Sequence, residues 1–427
     1  MDCLIVMRSK ILTVFSNTIF RGTSVFFVGS LVVSFGSFLY HLLMARYLGP
    51  TEYGILASLV SLLYLASIPT GTLDLLVSKV VAGFEPDEIY PQSKAFTKYL
   101  FYKLNKPLLL VFVILLAATY PLQIFLKLPD LGGLLSVWLI ICLLIVLTVF
   151  RSLQKGLLDF VPLVVNQIFE VVIRLAVSLG LLFVVSQSHM VGQIGTILAF
   201  CLALFIVFYQ LKPVLTAPDV VFDNRKLSIR NLGIGSLLFS LSFTLMYSID
   251  ILLVKHFFSY YLAGIYAVLA TTGKIIYFAS SPLSSALVPI VAKKSHNPDK
   301  ARSDLIIIFG IVLAMGVGLL AIYSLIPQQI ITLIFTDKYL EAASLLPQMG
   351  LAMLFYAISN SCSTFLLSLG KVKSAILPML ALIAEIGLIV VWHSSLSQVV
   401  GVIMVVFGIL ALILSGYSFY VTRKTAI

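Results

Sequence analysis

Charge is what this sequence has least of. Only 11% of its 427 residues are Asp, Glu, Lys or Arg, whereas a soluble domain carries about 25%, so water is the wrong solvent for it. Acidic residues are the scarcer sign, 17 against 28 basic. In a soluble protein that excess would point to nucleic acid; here basic residues on cytoplasmic loops of a membrane protein account for it, and no nucleic-acid partner is expected. Cysteine is equally sparse. Cys142, Cys201 and Cys362 lie inside apolar runs and Cys3 near the start, which offers neither a disulfide framework nor the spacing of a metal site. The five histidines (His41, His189, His256, His296, His393) do not cluster, and none is assigned a role. No cofactor is expected, and no segment has room for a separate soluble catalytic domain, so the expectation is a protein that is not an enzyme.

What the chain does have is hydrophobic length. Apolar residues make up 60% of it, with a mean hydropathy of +1.11. A helix crossing the hydrocarbon core needs roughly 20 apolar residues. Runs bounded by charge or by Gly/Pro/Asn clusters predict helices near 24–44, 55–77, 107–126, 132–150, 162–186 and 191–210. A second series follows near 233–254, 263–283, 305–325, 342–367, 374–392 and 398–420. The expected fold class is therefore an all-α integral membrane protein of about twelve transmembrane helices. The first run, beginning near Thr23, ends without a small-x-small cleavage site and reads as a retained helix rather than a signal peptide.

Orientation follows from the basic residues, because Lys and Arg are retained on the cytoplasmic side during insertion. With the N-terminus inside, 22 of the 28 fall in cytoplasmic segments, among them Arg8, Lys10, Arg151, Lys155, Arg225, Lys226, Arg230, Lys293 and Lys294. The outer side receives only Arg46, Lys127, Lys255 and Lys338, while Arg174 and Lys274 stay within helices. Both termini are thus expected in the cytoplasm, with the cytoplasmic membrane as the location.

A weak internal repeat divides the chain. The segment LLMARYLGPTEYGILASLVSLL from Leu42 aligns without gaps on LLVKHFFSYYLAGIYAVLATTG from Leu252, matching Gly54 with Gly264 and Ala57 with Ala267 at an offset of 210. Halves with an even number of helices enter the membrane from the same side, which predicts two pseudo-symmetric six-helix lobes, 1–215 and 216–427, around a central cavity.

A charge in the middle of a membrane helix costs roughly 2.5–3.5 kcal/mol on the mildest scale, so each one kept there needs a partner, water or a function. Asn166, Glu170 and Arg174 are spaced by four and share one face of the fifth predicted helix. Glu170 and Arg174 can neutralise each other, or the face can line a wet cavity and hold a phosphate or sugar. Glu385 stands in the apolar run LPMLALIAEIGLIVVW without a basic neighbour on its helix; it is a candidate for proton or cation coupling, or for a structural hydrogen bond. Asp250 and Lys274 form a second candidate binding set, against a helix-pinning salt bridge for Lys274 and snorkelling towards the surface with Lys255 for Asp250. Arg21, Asp74 and Lys79 sit where an inward-open cavity would have its mouth, or serve as interfacial anchors; Asp74 is also a candidate coupling residue. Breaks at Ile68-Pro69-Thr70-Gly71, Ser281-Pro282 and Leu377-Pro378 are candidate bending points.

The stretch Ala45-Arg46-Tyr47-Leu48-Gly49-Pro50-Thr51-Glu52-Tyr53-Gly54 resembles the ARxLGPxxYG connection of polysaccharide and oligosaccharide flippases, members of the multidrug/oligosaccharidyl-lipid/polysaccharide (MOP) superfamily. Asp250 to Phe258 followed by Ala263-Gly264-Ile265-Tyr266, and PQQIITLIFTDKYLEAA from Pro327 to Ala343, resemble two further stretches of that family. The resemblance implies two lobes alternating between inward-open and outward-open states and moving polyprenyl-(di)phosphate-linked glycans across the membrane, coupled to a proton or sodium ion. It also implies that basic residues lining the cavity hold the lipid diphosphate, which suits Arg21, Lys79, Arg174 and Lys274; Asn166, Glu170 and Asp250 stay in the candidate binding set, and Asp74 and Glu385 among the candidate coupling residues, on their positions in the helices alone. A cation-coupled exporter of drugs or small molecules from the same superfamily is the alternative. A membrane polymerase or glycan ligase would need a long outer loop rich in Arg and His, which this sequence lacks.

Overall fold

The computed structural model describes residues 18–185, 187–222, 234–280, 298–369 and 371–424, and among these it is helical, without strands. Arg8, Lys10, Arg225, Lys226, Arg230, Lys293 and Lys294, with Cys3, His296 and the Ser281-Pro282 break, lie outside the described residues.

The helix-forming stretch Thr18–Ala82 is divided at Gly49, whose φ of 74° and ψ of 174° are not helical. An unbroken helix of that length would reach about 98 Å at 1.5 Å per residue, three times the hydrocarbon core. Glycine enters such a conformation readily, as other residues do not, and nothing lies within 4 Å of where a Cβ would be, so the backbone alone demands it. The result is α1 (18–48) and α2 (50–82). There follow α3 (Ile89–Phe125), α4 (Gly132–Gly156), α5 (Phe160–Val184) and α6 (His189–Gln210). The second series is α7 (Ile234–Phe257), α8 (Tyr260–Ser280), α9 (Pro298–Leu325), α10 (Leu346–Ser368), α11 (Ile376–Val391) and α12 (Leu396–Lys424).

Ten helical segments are long and apolar enough to cross a membrane among the described residues. The Gly49 break makes two of the first, and Phe309–Leu325 with Pro327–Ile334, bent by 92°, supplies the remaining one. The chain is a multi-pass membrane protein of the expected helical class. Several features differ from the sequence reading. The third helix starts at Ile89, well before 107, and passes through Pro107 and Pro121; the Lys- and Asn-containing segment before Pro107 has the polarity of a loop but is helical. The fourth extends past 150 to Gly156 and so carries Arg151 and Lys155, assigned above to a connection, within a helix. Pro378 lies in the first turn of α11, where its missing N–H costs nothing, rather than at a break. The Ile68–Gly71 stretch stays helical.

The chain forms two compact units. One comprises the residues up to Met44, Pro69–Ile124 and Leu128–Asn231; the other Ala45–Ile68, Phe125–Lys127 and Leu232–Ile427. Within the second unit, the three stretches that carry the family resemblance meet. Tyr339 donates to the carbonyl of Ala45 at 2.7 Å. Tyr53 and Thr271 share a hydrogen bond of 3.4 Å. The crossing of α2 and α8 is so close that a Cβ on Gly54 would lie 2.7 Å from the Gly264 nitrogen. The repeat-related glycines thus pack against each other, the small-residue crossing that lets membrane helices approach.

Within the first unit, the segment after α6 is strapped to α3. Asp219 bridges Lys98 at 2.7 Å and Lys94 at 3.0 Å, and Lys94 also donates to the Ala217 carbonyl at 2.6 Å. The Phe222 ring lies 5.2 Å from those of Phe96 and Tyr99. The two ammonium groups hold the Asp219 carboxyl below the usual carboxylate range. A lowered pKa means that the attachment is complete at neutral pH and is lost as pH falls through that value. Asp219→Ala is expected to speed cleavage within residues 217–222 by a protease of broad specificity at pH 7, and acidification to remove the difference from wild type.

Candidate functional site

Two membrane-embedded charge clusters contain most of the predicted site residues, one in each unit. In the first unit, α5 presents Asn166, Glu170 and Arg174 along one face, as their spacing requires. The principal partner of Glu170 is Arg151 of α4 rather than Arg174. Arg151 Nη1 donates to Glu170 Oε2 at 2.7 Å, while its Nε and Nη2 donate to Asn166 Oδ1 at 2.8 and 2.6 Å. This forked, charge-assisted geometry is the strong form of the interaction. Asn166 passes the network on by donating to the Ala203 carbonyl of α6 at 2.8 Å. Arg174 stands 3.9 Å from Glu170 Oε1, donates to Ser37 Oγ of α1 at 3.0 Å, and lies over the Tyr40 ring, 4.9 Å from its centroid. Tyr40 donates to the Gly192 carbonyl at 3.1 Å. The Nε of Arg174 is buried without an acceptor among the described residues. The cluster therefore holds two guanidiniums to one carboxylate, one positive charge in excess.

Also in the first unit, Asp74 of α2 pairs with Lys155 Nζ at 2.7 Å and accepts from Ser152 Oγ at 2.7 Å, both on α4. It is half exposed and held apart from the Arg151 network by its own lysine. Lys79 is exposed in the last turn of α2. Arg21 lies on α1, and its side chain falls outside the described residues.

In the second unit, Asp250 of α7, Lys274 of α8 and Glu385 of α11 are buried, with 1%, 3% and 0% exposure. The sequence treated Glu385 as a separate candidate, but it interacts electrostatically with both Asp250 and Lys274. Asp250 accepts from the Tyr266 hydroxyl at 2.7 Å through Oδ2, while its Oδ1 and both oxygens of Glu385 have no hydrogen-bond partner among the described residues. Lys274 follows the regular helix Tyr260–Gly273, and Tyr323 of α9 takes up the Thr272 carbonyl beside that point at 2.7 Å. Its ammonium lies 4.0 Å from the centroid of the Tyr247 ring. Neither Asp250 nor Lys255 snorkels to the surface. Lys255, expected in an outer connection, is fully buried in the last turn of α7 with its Nζ against the Tyr260 ring; cation–π contact replaces hydration there.

Sequence reasoning missed Arg151 because it read the residue as a loop anchor, and missed the tyrosines around Lys274 because an aromatic within an apolar run counts as core. Tyr64, Tyr247, Tyr277 and Tyr356 contact one another through their rings at centroid distances of 5.0–6.4 Å. Their one legible signal was a phenol repeatedly placed near mid-helix, where leucine would serve packing better. Among the described residues no group of His, Cys, Asp and Glu is arranged to hold a metal ion.

Solved structures of membrane transporters have a similar helical fold. A multidrug resistance MATE family transporter of the MOP superfamily, in an inward-facing conformation, matches with a TM-score of 0.75 at 11% identity, covering 92% of this chain and 95% of that one. The lipid II flippase MurJ matches with a TM-score of 0.68 at 12% identity over 93% of this chain and 87% of its own. The eukaryotic MATE transporter AtDTX14 gives 0.63 at 14% identity over 96% and 99%. These likenesses define the class of fold, the one these transporters have. No curated protein matches in sequence. Residues 43–344, well over half of the chain, match the family model described as polysaccharide biosynthesis protein, and the chain belongs to that family. The membership expected from the Ala45–Gly54 connection and its two companion stretches is thereby borne out.

Proposed function

We propose that this protein is an alternating-access flippase that moves lipid-linked oligosaccharide or polysaccharide repeat units across the cytoplasmic membrane, with both termini in the cytoplasm and the repeat halves 1–215 and 216–427 as its lobes. The observation that carries the reading is the uncompensated positive charge on α5. A partly buried guanidinium whose buried Nε has no acceptor among the described residues, in a cluster of two arginines to one carboxylate, is matched by an anion such as the diphosphate of a polyprenyl carrier. Family membership supports the glycan part of the substrate.

In this reading Arg174 and Lys274 bind the anionic part of the substrate, Asn166, Glu170 and Asp250 orient them, and Arg21 and Lys79 attract it at the cytoplasmic entrance. Glu385, whose two oxygens lack any donor, carries the coupling proton or sodium ion, with Asp74 as the second candidate. No covalent step is involved.

The test is transport of a fluorescent polyprenyl-diphosphate sugar in proteoliposomes. Wild type is expected to move it, and the Arg174→Ala, Lys274→Ala double variant to lose at least tenfold in rate. Unchanged transport by the double variant would overturn the site assignment. No transport of any such lipid by wild type, together with uptake of organic cations, would replace the reading with the exporter alternative. A rate indifferent to an imposed pH or sodium gradient would remove Glu385 and Asp74 from the mechanism.

A further inference from the structure

We propose that Tyr247, with Tyr64, Tyr277 and Asn360 beside it in the second unit, is the subsite that takes a sugar ring of the transported glycan. This rests on the flippase reading and adds where the carbohydrate, as distinct from the diphosphate, is recognised.

Tyr247 lies thirteen residues into α7, which runs from Ile234 to Phe257, so it stands about 20 Å from one end of the helix and 15 Å from the other. Tyr356 and Asn360 lie ten and fourteen residues into α10, which runs from Leu346 to Ser368. These groups are at the level of the bilayer centre. Tyr64, Tyr247, Tyr277 and Asn360 are nevertheless only half-buried, and the Tyr247 hydroxyl has no hydrogen-bond partner among the described residues. A phenol hydroxyl facing lipid chains without a partner costs roughly 2–7 kcal/mol. The face they share is therefore one that water or a polar ligand meets.

The chemistry of that face selects the ligand. Tyr64 stands edge-on to Tyr247 at 5.4 Å and 86°, and Tyr277 is tilted at 6.1 Å and 55°, giving ring faces and rims set at angles to one another. Such rings offer flat apolar surface and hydroxyl groups together. Pyranose rings have the complementary pair of properties, an apolar C–H face and a rim of hydroxyls. The Asn360 amide, within reach of the Tyr277 hydroxyl, adds both a donor and an acceptor. The Lys274 ammonium, 4.0 Å from the Tyr247 centroid, fixes that ring in place. An organic cation is disfavoured at the same rings, because Lys274 already occupies the electron-rich face of Tyr247.

The experiment compares binding of a polyprenyl-diphosphate disaccharide with that of the sugar-free polyprenyl diphosphate to purified full-length protein, by native mass spectrometry. Wild type is expected to bind the glycosylated lipid roughly tenfold more tightly, the scale of one or two aromatic contacts. Tyr64→Leu with Tyr277→Leu is expected to abolish that preference and to leave affinity for the sugar-free lipid unchanged; Tyr64→Phe with Tyr277→Phe retains most of it. Equal affinities for the two lipids in wild type, or a preference that survives the leucine pair, would overturn the subsite while leaving the flippase reading intact. Binding of neither lipid would overturn both.

Discussion

Gly264→Ala is expected to unfold the second unit at a markedly lower temperature than wild type, although it adds a single methyl group. The new Cβ would lie 1.8 Å from the carbonyl oxygen of Pro50, 2.5 Å from its carbonyl carbon and 2.8 Å from its Cα. All three are backbone atoms, so no side-chain rotation relieves the clash and the α2–α8 crossing has to open. Overpacking of this kind typically costs 1–3 kcal/mol, occasionally more, and an opened crossing also strains the Tyr53–Thr271 and Tyr339–Ala45 hydrogen bonds beside it. Gly71→Ala is the control. Nothing lies within 4 Å of its Cβ position, and a glycine replaced by alanine inside a helix gains about 0.5–1 kcal/mol. Thermal unfolding of the two variants in detergent should move in opposite directions. A Gly264→Ala protein with wild-type stability would mean that the crossing is looser than described.

The second large effect is expected at Arg151, a residue with no evident role in the sequence. Arg151→Ala removes four hydrogen-bonding contacts at once and leaves Glu170 with only the 3.9 Å approach of Arg174. Breaking one side of a buried ion pair costs about 3–5 kcal/mol, because the remaining charge stays buried without its partner. Much of that loss should return in the Arg151→Met, Glu170→Gln double variant, in which no unpaired carboxylate remains. A double-mutant cycle on thermal stability measures the coupling. Additive single effects would show that the pair is screened by water and that α4 and α5 are held by packing alone. The same cycle between Arg174 and Glu170 should give a much smaller coupling, since that contact is at the edge of ion-pair distance.

The fold was legible because the bilayer imposes few options: each span is an apolar run of known minimum length, and the twelve runs read from the chain correspond to α1–α12. The boundaries that failed, Ile89 and Gly156, did so where a helix continues beyond its apolar portion; backbone hydrogen bonding does not stop where hydropathy does. The charge clusters were half legible. Spacing by four placed Asn166, Glu170 and Arg174 on one face correctly, since that depends on one helix alone. The partner choice was not available, because Arg151 comes from another helix whose rotation is set by packing. For the same reason Asp250, Lys274 and Glu385, on three helices, read as unrelated candidates.

Sequence by itself determined that this chain lives in a membrane, which of its runs are long and apolar enough to cross one and to which family it belongs, because composition, run length and local motif are properties of neighbouring residues. Tertiary structure decided which charges neutralise which, that Gly54 and Gly264 are not only equivalents at an offset of 210 but contacts, and that four phenols form one cluster, of which Tyr247 lies against Lys274. Those are distances between helices, fixed by side-chain packing across hundreds of residues of chain, and no local pattern encodes them.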